Sequence, residues 1–226
     1  MSGMGTLYLV RHGQASFGAD DYDQLSERGR QQSERLGAYW RERGLRFDAV
    51  LCGTLRRHAQ TFDGIAQGLG GAPEPLLLPG LNEYDSHALI AAIHPTPLPR
   101  PDTPELYRQH FRLLCDALAL WMAGTISPAG MPGWDDFEGG VRAALDLVRR
   151  QHQGQNVLLV TSGGPIATAM GHVLSTPPEV TIALNMRIRN SAVTEFSVNP
   201  KRLMLQTFNT LPHLDQPEHA ALVTHA

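Results

Sequence analysis

The residues with the clearest chemical potential are Arg11, His12 and Gly13, which directly follow the apolar run at 7–10. Such a run predicts a strand buried on both faces, and ligands of parallel α/β sheets bind where strands end. A neutral imidazole can act as a nucleophile near pH 7 without a separate strong base. Arg11 would neutralise phosphate oxygens, and Gly13 would let them approach the backbone. The alternative is a structural histidine that bonds to a loop, and the tripeptide alone does not exclude it.

A second basic segment, residues 54–61, has the sequence Thr-Leu-Arg-Arg-His-Ala-Gln-Thr. Apolar residues at helical spacing follow it, so a helix is predicted to begin after Thr54. Arg57 would lie in the first turn, where the helix dipole favours a bound anion and a cation without one is poorly placed. The alternative is a solvated surface arginine, which describes Arg56 better.

Two further segments carry groups suited to an anion site. Glu83 follows an apolar stretch, and a carboxyl among apolar neighbours can have the raised pKa that a general acid requires; an ordinary loop glutamate is the alternative. After the apolar run at 157–160 come Ser162, Gly163, a second glycine and Pro165. This order favours a helix N-terminus with Pro165 at the first helical position and free N–H groups that face an anion.

Taken in order, the segments 11–13, 54–61, 81–83 and 157–166 resemble the histidine phosphatase superfamily, the phosphoglycerate mutase-like proteins. The resemblance covers nearly the whole chain. It implies the fold of that family and hydrolysis of a phosphate ester in two steps, in which a histidine takes the phosphoryl group and water then releases it. It also implies that no metal or other cofactor is needed, because arginines and a helix end supply the positive charge.

The resemblance assigns roles to individual residues. It implies that His12 is the nucleophile, that Arg11 and Arg57 clamp the phosphate, and that Glu83 protonates the leaving alcohol. The family motif, in which an arginine precedes x-x-Gln-Thr, selects Arg57 rather than its neighbour. Ser162 and Gly163 would also bind phosphate. His87 would border the pocket, in a segment where the family usually has a glycine a few residues after the glutamate. Asn190 would border it too, with a turn residue before a strand as the alternative.

The chain departs from the family pattern at two places. Mutases carry a hydroxyl residue and an asparagine after the histidine motif, whereas this chain has Ala15 and Gly18, so a phosphatase is expected rather than a phosphoglycerate mutase. The family's second strand ends in a histidine that helps to hold the phosphate, and Ser162 stands at that position. A neutral donor is worth roughly half of a charge-assisted one, so we expect slow turnover.

Three outcomes are open at Ser162. The chain could be a weak phosphatase, or it could be a pseudoenzyme that binds a phosphorylated ligand with little turnover. In the third case His87 or another loop histidine fills the space and supplies the absent donor. The presence of His12, Arg57 and Glu83 favours an enzyme, because a pure binder needs neither a nucleophile nor an acid.

The pattern of apolar runs predicts an α/β fold with three layers, in which helices flank a mostly parallel central sheet. The buried runs at 7–10 and 157–160 predict central strands, with a short strand at 49–51 between them. Alternating residues at 192–198 and 203–208 predict two closing strands, the first of them an edge or antiparallel strand.

The helices and the domain limits follow from capping and turn residues. A first helix is predicted from the N-cap Ser26 to about Gly44, and a second ends at the glycines near 70. Residues 1–211 are expected to form one domain, in which the proline-punctuated insertion at about 84–138 forms a helical lid. Its helices are predicted to open at two Asp-x-x-Glu sequences, at 102–105 and 135–138. Residues 212–226 are expected to form a polar, loosely ordered tail.

The composition of the 226 residues fits a protein with a sizeable apolar core, since 42% of them are hydrophobic. The net charge of −3 argues weakly against nucleic acid or an anionic membrane as a partner. The N-terminus lacks the pattern of a signal peptide, no run approaches a membrane span, and Cys52 and Cys115 are expected to be buried free thiols. We therefore expect a cytoplasmic protein whose partner is a small phosphorylated molecule or inorganic phosphate.

Overall fold

The computed structural model describes residues 4–16, 23–99 and 103–225. Its sheet has six strands, which are β1 Gly5–Arg11, β2 Ala49–Cys52, β3 Leu76–Leu77, β4 Asn156–Thr161, β5 Val193–Val198 and β6 Leu203–Thr210. They lie in the order β3-β2-β4-β1-β5-β6. The strands from β3 to β1 are parallel, and β5 pairs antiparallel with both β1 and β6. The predicted α/β class with a mostly parallel sheet is confirmed.

The α-helices among the described residues are α1 Glu27–Glu42, α2 Arg56–Leu69, α3 Ser86–Ile93, α4 Pro104–Met122, α5 Trp134–Gln151, α6 Gly163–Leu174 and α7 Pro178–Asn185. Short 3₁₀ helices occupy Pro79–Leu81, Pro212–Leu214 and Pro217–Leu222. Within these ranges no helix is both long enough and apolar enough to cross a membrane.

The alternation of side chains along β4 explains the three layers. Val157 and Leu159 join the apolar core that α5 and α6 contribute to, while Leu158 and Val160 join the core beneath α1 and α2. Each of these four side chains is at most 1% exposed. A strand that is covered on both faces needs apolar residues at every position, which is why the run is continuous.

A third apolar core holds the inserted helices together. Leu89 of α3, Leu118 and Trp121 of α4, and Phe137 of α5 are all buried in it. The ring of Trp121 lies 5.2 Å from that of Phe137 and 5.2 Å from that of Trp134, measured between centroids. The insertion is therefore a packed unit with its own core.

The helix ends agree in part with the capping residues. The Ser26 side chain accepts a hydrogen bond from the Gly29 N–H, as an N-cap does, and Gly44 follows α1 with φ of +66°. The helix α6 begins at Gly163, so Pro165 is its third residue and the prediction of the first position is wrong. The N-cap residue Ser162 makes no capping hydrogen bond with its own side chain, which leaves the register of the start of α6 to tertiary contacts.

The two predicted capping sequences of the insertion fare differently. Asp102 lies outside the described residues, and α4 is capped by Thr103, whose hydroxyl accepts from the Leu106 N–H. The helix α5 begins at Trp134 after Gly133, so Asp135 lies in its first turn and does not cap it. An acidic residue in the first turn still interacts favourably with the helix dipole.

The tail is packed, so the expectation of loose order is wrong. Leu214 and Thr224 are buried, and Gln32 of α1 donates from Nε2 to the Leu222 carbonyl oxygen at 2.6 Å and to Thr224 Oγ1 at 2.9 Å. Two polar groups of the tail, the Leu222 carbonyl and the Thr224 hydroxyl, thus bond to α1. Composition alone does not distinguish such groups from groups that bond to water.

The two cysteines are free thiols. Cys52 is buried in β2, and burial raises the pKa of its thiol to about 12. Cys115 on α4 is only half-buried, which differs from the expectation.

His213 gives the stability of the fold a measurable pH dependence. It is buried, its Nε2 lies 2.9 Å from Ser191 Oγ, and burial lowers its pKa to about 3. The unfolded chain takes up a proton on this residue below the ordinary pKa of about 6.5, whereas the folded chain does not until pH falls much further. Acidification from pH 7 to pH 5 should therefore cost about 2 kcal/mol of unfolding free energy through His213 alone.

We expect His213→Gln to reduce the difference in unfolding free energy between pH 7 and pH 5 by about that amount, measured by urea denaturation at both values. The matched control is His225→Gln, because His225 is exposed. An unchanged pH dependence in His213→Gln would contradict the assignment of a neutral buried imidazole.

Candidate active site

The candidate residues of the two central strands meet at one edge of the sheet. Arg11 is the last residue of β1, and Ser162 directly follows β4, which pairs in parallel with β1. The His12 N–H donates to the Thr161 carbonyl oxygen at 2.8 Å, and this bond continues the ladder one residue past β1. Gly53, which follows β2, donates to the Val160 carbonyl oxygen at 3.0 Å. The carboxyl ends of three neighbouring strands thus form the floor of the site.

The His12 ring is fixed in one tautomer. Its Nδ1 lies 2.7 Å from the Gly13 carbonyl oxygen, and because a carbonyl only accepts, Nδ1 carries the proton. Burial, and then the charges of Arg11 and Arg57, hold the pKa of His12 well below its ordinary value. The imidazole is therefore neutral at pH 7, and its Nε2 has a free lone pair.

Gly13, next to this ring, packs directly against the backbone of α1. A Cβ at this position would collide with the carbonyl oxygen of Gly29 in α1, so no larger residue fits without a shift of the backbone. The Gly13 N–H donates to Thr61 Oγ1 at 3.0 Å, and the Leu25 N–H donates to Gln60 Oε1 at 2.8 Å. Gln60 and Thr61 of the basic segment thus fix the backbone at Leu25 and at Gly13.

Arg57 is buried at the start of α2, whereas Arg56 is exposed. Asp23 accepts from Arg57 Nη1 at 2.8 Å and from the Arg56 N–H at 2.9 Å. The helix end predicted to bind an anion therefore has a protein carboxylate beside it. Sequence analysis missed Asp23, because no local pattern connects it to a helix more than thirty residues later.

Two buried guanidinium groups act on the same carboxyl group. Arg11, which donates to the Ile188 carbonyl oxygen, and Arg57 both lower the pKa of Glu83, but burial outweighs them and the net direction is upward. The Gly164 N–H donates to both carboxylate oxygens of Glu83, at 3.1 and 3.2 Å, and also opposes the rise. Glu83 is thus anchored at the N-terminus of α6 and holds its proton to a higher pH than an exposed glutamate.

Ser162 is bonded to a histidine that sequence analysis gave no role. His58 Nε2 lies 2.7 Å from Ser162 Oγ, and both residues are fully buried. The centroid of the His58 ring is 5.8 Å from that of His12. Burial, and then the charge of Arg57, lower the pKa of His58 to about 3.

The helical period contains a signal that could have found His58. His58 is the first of four buried positions on one face of α2, spaced as i, i+3, i+4 and i+7. The other three are Thr61, Phe62 and Ile65. A histidine on that face, one residue after Arg57, is expected to point into the protein.

The remaining candidates lie around this centre. His87 is exposed in the first turn of α3, and its ring centroid is 6.5 Å from that of His110 on α4. The histidine against Ser162 is therefore His58 and not His87. Asn190 is buried behind His12, where its Nδ2 donates to the His12 carbonyl oxygen at 3.4 Å. Gly163, the first residue of α6, is close enough to Asn185 that a Cβ would stand 2.8 Å from its Oδ1.

The mostly parallel sheet, with a neutral histidine at its carboxyl edge and inserted helices beside that edge, has the phosphoglycerate mutase-like fold. The family model described as Histidine phosphatase superfamily (branch 1) matches residues 7–211. The chain belongs to this superfamily.

Solved structures with the same fold include three named enzymes. One is a putative alpha-ribazole-5′-P phosphatase from Escherichia coli, with 22% identity, a TM-score of 0.64 and coverage of 91% of this chain and 96% of that one. Phosphoserine phosphatase from Entamoeba histolytica, in complex with 3-phosphoglyceric acid, has 21% identity, a TM-score of 0.64 and coverage of 93% and 100%. Phosphoglycerate mutase from Bacillus anthracis has 17% identity, a TM-score of 0.65 and coverage of 94% and 96%. At these identities the likeness shows the fold. No curated protein matches the chain significantly.

Proposed function

We propose that the protein is a phosphatase that removes phosphate from a small phosphorylated metabolite through a phosphohistidine on His12. The observation that carries this proposal is the hydrogen bond from His12 Nδ1 to the Gly13 carbonyl oxygen, because it leaves Nε2 as the nucleophilic atom. Arg11 and Arg57 both act electrostatically on this ring, so positive charge lies where a phosphoryl group would bind.

In the first step, Nε2 of His12 attacks phosphorus and the bond from phosphorus to the ester oxygen breaks. Glu83, whose raised pKa lets it hold a proton, gives that proton to the leaving oxygen. The guanidinium groups of Arg11 and Arg57 take up the negative charge on the equatorial oxygens. The Ser162 hydroxyl and the N–H of Gly163 at the start of α6 add neutral hydrogen bonds.

In the second step, water attacks phosphorus and the bond from phosphorus to Nε2 breaks. The Glu83 carboxylate, which gave up its proton in the first step, takes a proton from this water. Inorganic phosphate leaves, and both His12 and Glu83 return to their starting states. The Arg57 side chain is shared between phosphate and Asp23 throughout.

The helical segment at about 84–138 would act as a lid that selects the substrate. It would belong to a single domain formed by residues 1–211, and the described residues of the tail contact α1. Tyr84, Trp134 and Phe137 line a cavity that reaches Gly164, the residue that anchors Glu83. Aromatic side chains of the insertion therefore lie close to the proposed acid.

Two alternatives have different support. A pseudoenzyme that binds a phosphorylated ligand is favoured by Ser162, since its hydroxyl supplies no charge at the strand end. A phosphoglycerate mutase is not favoured, because Ala15 is a buried apolar residue where a mutase carries a hydroxyl. The second departure, Gly18, lies outside the described residues.

We expect His12 to become phosphorylated during turnover of an aryl phosphate. Rapid quenching with labelled substrate should trap an acid-labile, alkali-stable phosphoryl group that is absent in His12→Ala and retained in His87→Ala. Turnover by the wild type without such a species would contradict the covalent mechanism. If His12→Ala and the wild type are equally inactive but bind phosphate, the pseudoenzyme is the correct alternative.

We expect Arg57→Ala to weaken inhibition by inorganic phosphate far more than Arg56→Ala, because only Arg57 is buried beside His12. The two variants form a matched pair, since both remove a guanidinium from the first turn of α2. Equal inhibition constants would show that Arg57 does not bind the phosphate.

We expect Glu83→Gln to lower kcat/KM for an alkyl phosphate by about 10²–10⁴-fold and to affect p-nitrophenyl phosphate much less. The nitrophenolate leaves without protonation, whereas an alkoxide needs the proton of Glu83. The parameter kcat/KM isolates this step, because it ends with departure of the leaving group. An equal loss on both substrates would assign Glu83 to another role.

A further inference from the structure

The buried contact between His58 and Ser162 is the strongest feature that the phosphatase mechanism leaves unexplained. Both side chains are fully buried, and the oxygen and nitrogen are 2.7 Å apart. Two polar groups buried at such a place add less stability than well-packed apolar groups would. Their presence therefore indicates another purpose. Their purpose must be local, because the His58 ring lies 5.8 Å from that of His12.

We propose that His58 is a positioning residue that fixes the Ser162 hydroxyl so that its proton points at a phosphoryl oxygen bound at His12. The proposal rests on the proposed phosphatase function and assigns His58 a part in it. His58 and Ser162 are thus one unit, in which an imidazole from α2 acts through a hydroxyl at the end of β4.

The direction of the hydrogen bond follows from the surroundings of the His58 ring. Nδ1 is buried and has no hydrogen-bond partner among the described residues. A buried N–H without an acceptor is rarer in proteins than an unused acceptor, so the proton belongs on Nε2. Nε2 then donates to Ser162 Oγ, and the Ser162 proton is free to donate elsewhere. In the opposite arrangement the serine proton would be used up by His58.

The ring is also held in place sterically. A Cβ at Gly53, the residue after β2, would collide with His58 Nδ1, so the ring packs directly on the backbone there. The neutral state of His58, caused mainly by its burial, allows a single N–H on the ring. A locked ring with one donor fixes one orientation of the serine hydroxyl, and a preoriented donor stabilises developing charge without reorganisation.

This arrangement determines the outcome that we expect for Ser162→His, the substitution that would restore the family's histidine. The space beside Ser162 is occupied by His58, so an added imidazole would collide with it, and we expect Ser162→His alone to lose activity. The double variant His58→Ala/Ser162→His empties that space and moves the imidazole to the strand end. It should recover activity relative to Ser162→His.

The decisive experiment compares His58→Met with His58→Gln in the full chain. The two side chains have similar length, but only Gln keeps an N–H that can reach Ser162. We expect His58→Met to lower kcat for an aryl phosphate on the order of 10-fold or more and His58→Gln to retain most of it. Ser162→Ala and the double variant His58→Met/Ser162→Ala should match His58→Met, because residues that act as a unit are not additive. Melting curves would confirm that each variant is folded.

A folded His58→Met with wild-type kcat would overturn the proposal and leave the phosphatase function intact. An acid-stable phosphoryl group on Ser162 would also overturn it, since Ser162 would then be the nucleophile. If the wild type shows no turnover, the phosphatase function fails, and calorimetric binding of inorganic phosphate decides the role of the pair. Weaker binding by His58→Met than by His58→Gln supports the proposal, and equal binding overturns it.

Discussion

The hydrogen bond between His12 Nδ1 and the Gly13 carbonyl oxygen is the constraint on which the site depends. The backbone that makes it packs closely against α1 at Gly13, where a Cβ would collide with Gly29. Thr61 of α2 accepts from the Gly13 N–H and holds this backbone in place. The orientation of this one ring thus depends on the end of β1, the start of α1 and the body of α2.

Burial of ionisable side chains sets the charge states of the site, and it also reduces the stability of the fold. The same desolvation that keeps His12 neutral raises the pKa of Glu83, so one physical cause sets the protonation states of both residues. Arg11 and Arg57 are buried beside them, and a buried charge is unfavourable unless it is paired or hydrogen-bonded. The three apolar cores offset this cost, and the polar groups are confined to the edge of the sheet, where few strands are disturbed.

Local sequence patterns predicted what local physics determines. The apolar runs that became β1 and β4 and the cap at Ser26 were identifiable, because burial on two faces and helix capping leave marks within a few residues. The contacts of Asp23 with α2, of Gln32 with Thr224 and of His58 with Ser162 were not identifiable, because each joins distant segments. The tail was mistaken for loose chain for the same reason.

The position of β1 in the sheet determines the order in which the protein can assemble. The first strand lies between β4 and β5, both formed by the last third of the chain, so the pairs that β1 makes, such as Thr6 with Asn156, span most of the sequence. The chain loses the entropy of closing such long loops before the strand pairs stabilise it, and this makes folding slow. During synthesis, the segment that carries His12 leaves the ribosome before β4 and β5, so the apolar strand β1 has neither of its sheet neighbours until those strands are made.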